Sequence, residues 1–341
     1  MSETRTRRLG RTSVELPVLG LGCAPLGDLF ERLDEEVADA TLRAAWEAGV
    51  RFFDTAPHYG AGLSEHRVGR LLRGVPRDEV VVSTKVGRVL LPDDAPDPAG
   101  RGPFVGGLPF TQVFDYGYEG VQRSLDGSLQ RLGTSRADLL VIHDLDRRHH
   151  PDPVVRARHL GDLEVGGAKA LDELRAGGAI RAVGAGVNEL GMLPLLFERV
   201  ELDFVILAMP YTLLDQRALD EELPLCEQHG AGVVVGAVFN SGILAAPRGV
   251  PAPYNYGAAS GEVVARVERL RAACGRHGVP LVAAALQFPL GHPLVAAVIP
   301  GAVTPGQVRE NVEQLAGRVP GALWGELKAE GLIRHDAPVP E

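Results

Sequence analysis

The stretch VVVSTKV, residues 80–86, is dominated by β-branched residues and does not alternate apolar with charged positions. Unbroken runs of this kind are typical of parallel strands that are buried on both faces of a sheet. Seven comparable runs lie along the rest of the chain, at 17–22, 50–55, 138–143, 180–186, 204–209, 232–238 and 294–300. The sequence therefore predicts eight buried parallel strands.

Stretches with helical periodicity lie between these runs. The clearest is 34–48, which begins with acidic residues and then places apolar residues on one helical face. Four others are 118–132, 163–176, 216–229 and 261–277. Strands that alternate with helices over 341 residues favour an α/β fold, a (β/α)8 TIM barrel in one domain, residues 1–341. An open Rossmann-type sheet is the alternative, but no G-x-G-x-x-G follows the first strand.

The overall charge argues against two classes of partner. The chain has 35 Lys and Arg residues against 44 Asp and Glu residues, a net charge of -9, so no binding to nucleic acid or to an anionic membrane is expected. No apolar run approaches the roughly 18–20 residues that span a bilayer. The three cysteines are too widely spaced for a disulfide framework: Cys23, Cys226 and Cys274. We expect a cytoplasmic protein.

Two long segments interrupt the strand–helix repeat. Residues 87–117 are rich in Gly and Pro, and residues 145–162 follow the next strand. Both leave the carboxyl-terminal ends of strands, where barrels place their active sites, so we interpret these long βα loops as walls of a substrate pocket. The second loop contains His149 and His150, which we interpret as solvated surface, and no metal site is predicted.

Polar residues stand at the ends of the early strands, where a barrel brings them to one mouth: Asp54, Tyr59, Lys85 and His143. A lysine that ends a buried strand costs free energy unless it is paired. Asp54, on the adjacent strand, supplies the opposite charge. The two residues could form a structural ion pair at the rim, or they could belong to an active site with Tyr59 and His143.

The contexts of these four residues decide between the two interpretations. FFDTAPHYG, VVSTKVG and LLVIHD, in this order, resemble the aldo-keto reductase superfamily. The resemblance extends from LPVLGLG near the start to IPGAVTPGQVREN near the end. FDYGYEGVQRSLDGSLQRLG, VIHDLD, GAGVNE, PYTLLD and NSGIL are similar to the branch that contains L-fucose and D-threo-aldose 1-dehydrogenases and pyridoxal 4-dehydrogenase.

The resemblance implies a role for each of the four side chains. Tyr59 is the expected acid/base, and Lys85 is expected to lower its pKa by stabilising the phenolate. Asp54 is expected to hold Lys85 in place, and His143 to hydrogen-bond the reacting oxygen. Three roles remain open for Asp144, which follows His143: it tunes the imidazole, contacts a sugar hydroxyl, or is solvated.

The resemblance also implies a nicotinamide dinucleotide across the barrel mouth. Asn188 occupies the position that holds the carboxamide, although Val187 and Ala208 replace a serine and a glutamine common at the neighbouring positions. The segment FNSGIL, residues 239–244, is expected to turn near the pyrophosphate. The other residues expected to bind the cofactor are Gly22, Cys23, Phe239, Ser241, Gly242, Leu244, Glu310 and Asn311.

The last motif bears on the choice of cofactor. The 2′-phosphate of NADP is normally met by Lys or Arg. The positions where NADPH-specific relatives carry a lysine, a serine and an arginine hold Gly301, Ala302 and Gln307 here. Arg309 is close in sequence but is expected on another helical face. NAD is therefore expected, with NADP as the alternative.

Together these features predict a dehydrogenase that prefers NAD and oxidises the anomeric hydroxyl of an aldose to a lactone. Within enzymes the alternatives are a pyridoxal 4-dehydrogenase and an NADPH-dependent aldehyde reductase. A redox-sensing subunit that binds cofactor with little turnover is the alternative from another class. The expected partner is a small molecule, either a sugar or an aromatic aldehyde or alcohol, and the protein is expected to be a monomer or a homodimer.

Overall fold

In the computed structural model, which describes residues 5–341, eight parallel strands form one continuous sheet. They are β1 (Leu21–Gly22), β2 (Phe52–Asp54), β3 (Val81–Val86), β4 (Leu139–His143), β5 (Ala182–Val187), β6 (Phe204–Ala208), β7 (Gly232–Gly236) and β8 (Val295–Ile299). Each strand pairs with the next one along the chain. Two parallel bridges, Leu19 with Val298 and Gly22 with Gly301, join the segment that contains β1 to the segment that contains β8. The ring is thereby closed, and the predicted (β/α)8 barrel is confirmed.

Helices follow the strands and surround the barrel. They are α1 (Glu35–Glu47), α2 (Leu63–Leu72), α3 (Tyr118–Leu132), α4 (Pro153–Asp162), α5 (Ala168–Ala176), α6 (Leu193–Phe197), α7 (Glu222–His229), α8 (Gly261–Arg276), α9 (Leu281–Gln287), α10 (Pro305–Ala316) and α11 (Gly321–Ala329). The sequence dictates these elements locally, as α3 shows. Its buried residues Val121, Leu125 and Leu132 recur at helical spacing, and Gly133 ends the helix in the left-handed conformation with a φ of 64°.

A hairpin closes the amino-terminal end of the barrel. Its strands are Thr6–Arg8 and Glu15–Pro17. Leu9 in the turn and Leu16 in the second strand lie in the barrel interior, where they join apolar residues from the barrel strands. Gly10 sits at the tightest point, with a φ of 52°, and a Cβ atom there would lie 2.4 Å from the backbone nitrogen of Gly232. Only glycine fits at this position.

Three predicted elements differ from the structure by more than two residues at a boundary. The run 17–22 is divided, because Pro17 ends the hairpin and only Leu21–Gly22 is assigned to β1. The predicted helix 216–229 begins at Glu222, after a 3-10 turn. The predicted helix 163–176 begins with a π-helical turn, which leads into α5.

The predicted loop 145–162 contains a helix, so this prediction is wrong over its second half. Asp152 accepts a hydrogen bond from the backbone nitrogen of Val154 and caps α4, and Pro153 occupies the first helical position. The other long segment, 87–117, is a loop built on an antiparallel hairpin of Arg88–Pro92 with Phe110–Phe114. Within residues 5–341, no helix combines the length and the apolar character that crossing a membrane requires.

Candidate active site

A cavity of about 680 Å³ opens at the carboxyl-terminal ends of the barrel strands. All four residues predicted for the catalytic site line it, namely Asp54, Tyr59, Lys85 and His143. Asp54 and His143 are the last residues of β2 and β4, and Lys85 is the penultimate residue of β3. Tyr59 lies in the turn that follows β2. The barrel therefore brings together residues that are far apart in the sequence.

Asp54 and Lys85 form a buried ion pair at the base of the site. Each residue is only 3% exposed, and Nζ of Lys85 lies 2.9 and 2.8 Å from the two carboxylate oxygens. Nζ also donates to the backbone oxygen of Thr55 at 2.8 Å, and Ser83 donates to Asp54 at 2.7 Å. These hydrogen bonds use all three ammonium protons and compensate for the desolvation of both charges. The ammonium is thus fixed 4.8 Å from the centre of the Tyr59 ring.

Tyr59 differs from expectation in its acidity. Burial, and then the negative charge of Asp54, raise the pKa of Tyr59 well above its usual value of 10.0. Lys85 does not reverse this rise in pKa, because its three protons are already donated to Asp54 and to the backbone oxygen of Thr55. The expected lowering of the pKa is therefore not found. In this structure Tyr59 is a phenol, which can give a proton to a substrate oxygen.

His143 is a neutral imidazole beside this phenol. Burial lowers its pKa well below 6.5, with Lys85 adding to the effect and Asp144 opposing it. Its ring centre lies 5.8 Å from that of Tyr59, and its backbone oxygen accepts a hydrogen bond from Tyr116 at 2.8 Å. A neutral imidazole can orient an oxygen atom through a hydrogen bond without supplying a proton to the reaction.

The predictions missed a second charged group behind His143. Nη1 of Arg88 lies 2.6 Å from Oδ2 of Asp144, and both residues are buried. Arg88 begins the hairpin in the loop after β3, so nothing in its local sequence indicates that it reaches the end of β4. The dipeptide His143–Asp144 is the only sequence signal for this pair.

His58 was also missed. It lines the cavity next to Tyr59, and its Nδ1 lies 2.8 Å from Oε1 of Gln112. Burial, and then the charge of Arg88, lower its pKa to about 4, so that it is neutral at physiological pH. Its position one residue before Tyr59 could have indicated it.

The interpretation of His149 and His150 as solvated surface is wrong. His150 is 3% exposed and packs edge-on against Phe114 at 4.4 Å between ring centres. His149 lines the cavity and lies 2.8 Å from Oδ1 of Asp146 through its Nδ1. The loop turns inward here because Phe114, which ends the neighbouring hairpin, and Tyr116, which follows it, pack against His150. The polar local sequence does not show this tertiary contact.

One group of side chains offers atoms that could ligate a metal. The ligand atoms of Asp144, Asp146 and His149 lie within 4.8 Å of one another. However, Arg88 is already ion-paired with Asp144, and His149 is in hydrogen-bonding contact with Asp146. We describe this group as a hydrogen-bonded cluster.

The cavity extends from the four residues predicted for the catalytic site to α10. Most residues predicted to bind the cofactor line it, namely Gly22, Asn188, Phe239, Ser241, Gly242, Gly301, Ala302, Gln307, Glu310 and Asn311. Cys23 and Leu244 do not, because both side chains are fully buried in the core. Arg309 is exposed and does not line the cavity, whereas Gln307 does. Among residues 5–341, the only Lys or Arg side chains in the lining are Lys85 and Arg148.

These residues fit an elongated dinucleotide. Gly22 and Gly301 allow the chain to approach closely where β1 meets β8, since a Cβ atom on Gly22 would lie 2.7 Å from the backbone oxygen of Ile299. Amide side chains lie in the middle and at the far end, with apolar residues between them, a mixture that suits a ligand with rings and polar edges. The hydroxyl of Ser241 accepts from the backbone nitrogen of Tyr256 at 3.0 Å and keeps its own proton available.

Comparisons with known proteins agree with this geometry. Residues 18–334 match the model of the aldo/keto reductase family. The chain is 44% identical to pyridoxal 4-dehydrogenase of Microbacterium luteolum, over 98% of this chain and 99% of that protein. It is 41% identical to D-threo-aldose 1-dehydrogenase of a Pseudomonas species, over 93% of this chain and 95% of that protein.

The fold is also similar to that of a solved structure. An aldo-keto reductase from Bacillus halodurans, in its holo form, superimposes with a TM-score of 0.73 at 26% sequence identity and covers 99% of both chains. The family match, the relatives and the barrel with its four residues at one mouth agree. The chain is therefore an oxidoreductase that belongs to the aldo/keto reductase family.

Proposed function

We propose that the chain is an NAD-preferring dehydrogenase that oxidises the anomeric hydroxyl of an aldose to a lactone. The observation that carries this proposal is the polar wall beside the catalytic residues, formed by His58, Asp144, Arg148 and His149. Several donors and acceptors around one small space suit a ligand with several hydroxyl groups. The similarity to a D-threo-aldose 1-dehydrogenase supports the same substrate class.

The residues of the chain would divide the work of the reaction. Tyr59 would remove the proton of the substrate hydroxyl during oxidation, and would return it during reduction. His143 would donate a hydrogen bond to the same oxygen and fix its direction. Lys85, held by Asp54, would place a positive charge beneath the phenolic ring as negative charge develops there. Asp54, Lys85 and His143 are buried and Tyr59 is half-buried, which limits access of water to the reacting oxygen.

Members of this family use nicotinamide cofactors, and the residues at the centre of the cavity suit one. Asn188 would hold the carboxamide, Phe239 would pack against a ring, and Ser241 and Gly242 would lie along the pyrophosphate. A nicotinamide dinucleotide bound here would supply the hydride acceptor and, in its oxidised form, a positive charge near Tyr59.

The preference for NAD is supported by the far end of the cavity. Gly301, Ala302 and Gln307 line it, and no described residue there provides a positive charge for a 2′-phosphate. Oε1 of Gln307 accepts from the backbone nitrogen of Val303 at 2.8 Å. Glu310 adds a carboxylate to the same end, which disfavours an additional phosphate.

A second candidate substrate is pyridoxal. Three aromatic side chains, Phe30, Phe104 and Tyr256, line the substrate end of the cavity and could pack on a pyridine ring. The relative that is 44% identical is a pyridoxal 4-dehydrogenase. An NADPH-dependent aldehyde reductase and a redox-sensing subunit remain as the alternatives that the experiment below must separate from the two dehydrogenases.

Two further properties belong to the proposal. We place the protein in the cytoplasm, since its three cysteines are free and buried, as in a reducing compartment. We also propose that residues 1–341 act as one domain and that the protein is a monomer or a homodimer.

The test is to offer the purified protein NAD and NADP in parallel, with a panel of aldoses and with pyridoxal, and to follow nicotinamide absorbance. Reduction of NAD with one aldose supports the proposal. Reduction of NAD with pyridoxal alone would select the second candidate. Activity only as NADPH-driven aldehyde reduction would overturn the cofactor assignment. Tight binding of a cofactor without turnover would support the sensing alternative.

A further inference from the structure

Asp144 occupies an unusual backbone position next to a catalytic residue. It follows His143 at the end of β4 and has a φ of 56°, in the left-handed region that aspartate tolerates better than most residues. Its side chain lines the cavity, and its Oδ1 lies 3.5 Å from Nε2 of His143. The turn thus presents a carboxylate oxygen directly beside the imidazole that would orient the reacting oxygen.

The carboxylate of Asp144 is ionised, and only one of its two oxygens accepts a short hydrogen bond. Burial by itself would raise the pKa of Asp144, but the neighbouring positive charge, with Arg88 in direct contact, holds that pKa well below its usual range. Oδ2 accepts from Nη1 of Arg88 at 2.6 Å. Oδ1 has only long contacts, at 3.5 Å to Nδ2 of Asn188 and to Nε2 of His143. A carboxylate oxygen that faces a cavity with unused lone pairs is an acceptor for a ligand hydroxyl.

We propose that Asp144 is a specificity-determining residue that accepts a hydrogen bond from a hydroxyl group on the carbon next to the reacting carbon of the substrate. The substrate class is then that of α-hydroxy aldehydes and the hemiacetals they form. This inference rests on the proposed function, because it takes His143 and Tyr59 as the residues that hold the reacting oxygen. When the reacting oxygen of the substrate is hydrogen-bonded to His143, the hydroxyl on the carbon next to the reacting carbon is directed towards Oδ1 of Asp144.

Of the two substrates considered above, the aldose has this feature, a hydroxyl on its second carbon. In pyridoxal the nearest hydroxyl is one carbon further away, on the ring carbon next to the carbon that bears the aldehyde. An acceptor at Asp144 therefore favours the aldose. Its neighbour Asp146 is equally buried but does not line the cavity, so it provides a matched carboxylate without this role.

The inference is tested with two pairs of compounds that differ in one hydroxyl. Lactaldehyde and propanal are compared as substrates for reduction by NADH or NADPH, and an aldose and its 2-deoxy analogue are compared for oxidation. A site built around a hydroxyl rejects the analogue that lacks it, so we expect kcat/KM to fall by about 100-fold or more for propanal and for the deoxy sugar. The ratio of kcat/KM for the hydroxylated compound to kcat/KM for its analogue should be no more than about 10 in Asp144→Asn and Asp144→Ala. Asp146→Asn should keep the wild-type ratio.

The ratio separates this role from a structural one. Loss of folding or of His143 alignment would lower kcat/KM for both members of a pair equally and leave the ratio unchanged, and that result would overturn the inference. A wild-type protein that does not discriminate lactaldehyde from propanal would also overturn it. Failure of aldose oxidation, with discrimination retained in aldehyde reduction, would overturn only the proposed function. An enzyme that turns over neither pair would overturn both.

Discussion

Tyr59 has to give up its proton inside a buried site that favours the neutral phenol. Burial and the nearby carboxylate of Asp54 raise its pKa, and the ammonium of Lys85 lies 4.8 Å from the ring centre without bonding to the hydroxyl. The energetic cost of the phenolate therefore depends on positive charge that arrives with the ligands. Tyr59 is protonated in the free protein, and it has to lose this proton once substrate and cofactor are bound.

Removal of the hydroxyl should separate binding from catalysis. In Tyr59→Phe we expect kcat to fall by about 10²–10⁴-fold, because only the proton carrier is lost. Cofactor affinity should change by less than about threefold, since the ring and its packing on Phe104 remain. Steady-state kinetics and fluorescence titration with the cofactor measure the two quantities. A variant that kept most of its turnover would rule out Tyr59 as the acid/base.

The direction of the pKa shifts predicts different pH profiles for the two reactions. Oxidation needs the phenolate, whose fraction falls tenfold for each pH unit below the pKa. Since the pKa of Tyr59 is raised, kcat/KM for oxidation should rise continuously from pH 6 to pH 9. Reduction uses the phenol and a neutral His143, so its rate should stay level between pH 5.5 and 8. A break near pH 6.5 in the reduction profile would show that an imidazole titrates during turnover.

The cofactor end of the cavity allows a matched pair of substitutions. Gln307 lines the cavity, whereas Arg309 on the same helix is exposed and does not. In Gln307→Arg we expect the ratio of the Kd values for NADP and NAD to shift towards NADP by about 10-fold or more, because a guanidinium can pair with the 2′-phosphate. Arg309→Gln should leave the ratio unchanged. If the second substitution weakened NADP binding instead, Arg309 would be the phosphate ligand.

At the scale of elements, α2 holds the loop between β1 and α1 over the cavity. Arg67 of α2 is buried and donates to the backbone oxygens of Leu26 and Leu33 at 2.7 and 2.8 Å. It also donates to Asp28 at 2.8 Å and to Glu35 at 2.6 Å. One side chain thus satisfies polar groups along the whole loop, which contributes to the cavity wall.

Truncation of this side chain should cost much more than truncation of its exposed neighbour. Arg67→Met leaves Asp28 buried without its partner, so we expect a loss of about 3–5 kcal/mol in the free energy of unfolding. Arg70 binds Glu35 and Asp39 at the surface, and Arg70→Met should cost no more than about 1 kcal/mol. Urea denaturation measures both. Equal losses would show that burial does not decide the value of these ion pairs.

The barrel could be predicted from the sequence because each strand carries its own signal. The unbroken apolar runs ending in Asp54, Lys85 and His143 report burial on both faces locally, and the helical stripe of α3 is complete within 118–132. The elements that were missed have weaker local patterns. In α4 the only clear signal is the pair Asp152–Pro153 at its start, and its short sequence is otherwise mostly exposed.

The site was predictable only as far as its residues lie at strand ends. The position of Arg88 on Asp144 depends on how a 31-residue segment, 87–117, folds back, which no local pattern specifies. The burial of His150 likewise depends on Phe114 and Tyr116 from that segment. Loop-to-loop contacts of this kind are set by tertiary packing.

For the whole molecule, neutral histidines make the fold sensitive to acid. Burial lowers the pKa of His58 and of His150 from 6.5 to about 4. The unfolded chain therefore binds protons first as the pH falls, and the stability that is complete above pH 6.5 is lost progressively towards pH 4. We expect Tm to fall by about 2–4 °C per pH unit in this range.

Substitution of His150 measures how much of this fall in Tm at acid pH comes from one histidine. His150→Gln removes one titrating group while keeping a polar side chain next to Tyr116, so its fall in Tm between pH 6.5 and 4.5 should be smaller than in the wild type. Differential scanning calorimetry across that range gives the comparison. Parallel curves for the two proteins would show that His150 does not contribute.

Within residues 5–341, the hairpin fills the amino-terminal end of the barrel, and the cavity opens at the carboxyl-terminal ends of the strands. Two ligands that share this opening cannot exchange independently, because the ligand that lies deeper can dissociate only after the outer one has left. At high concentration the outer ligand therefore delays release of the inner one, and turnover is limited by ligand release rather than by the chemical step.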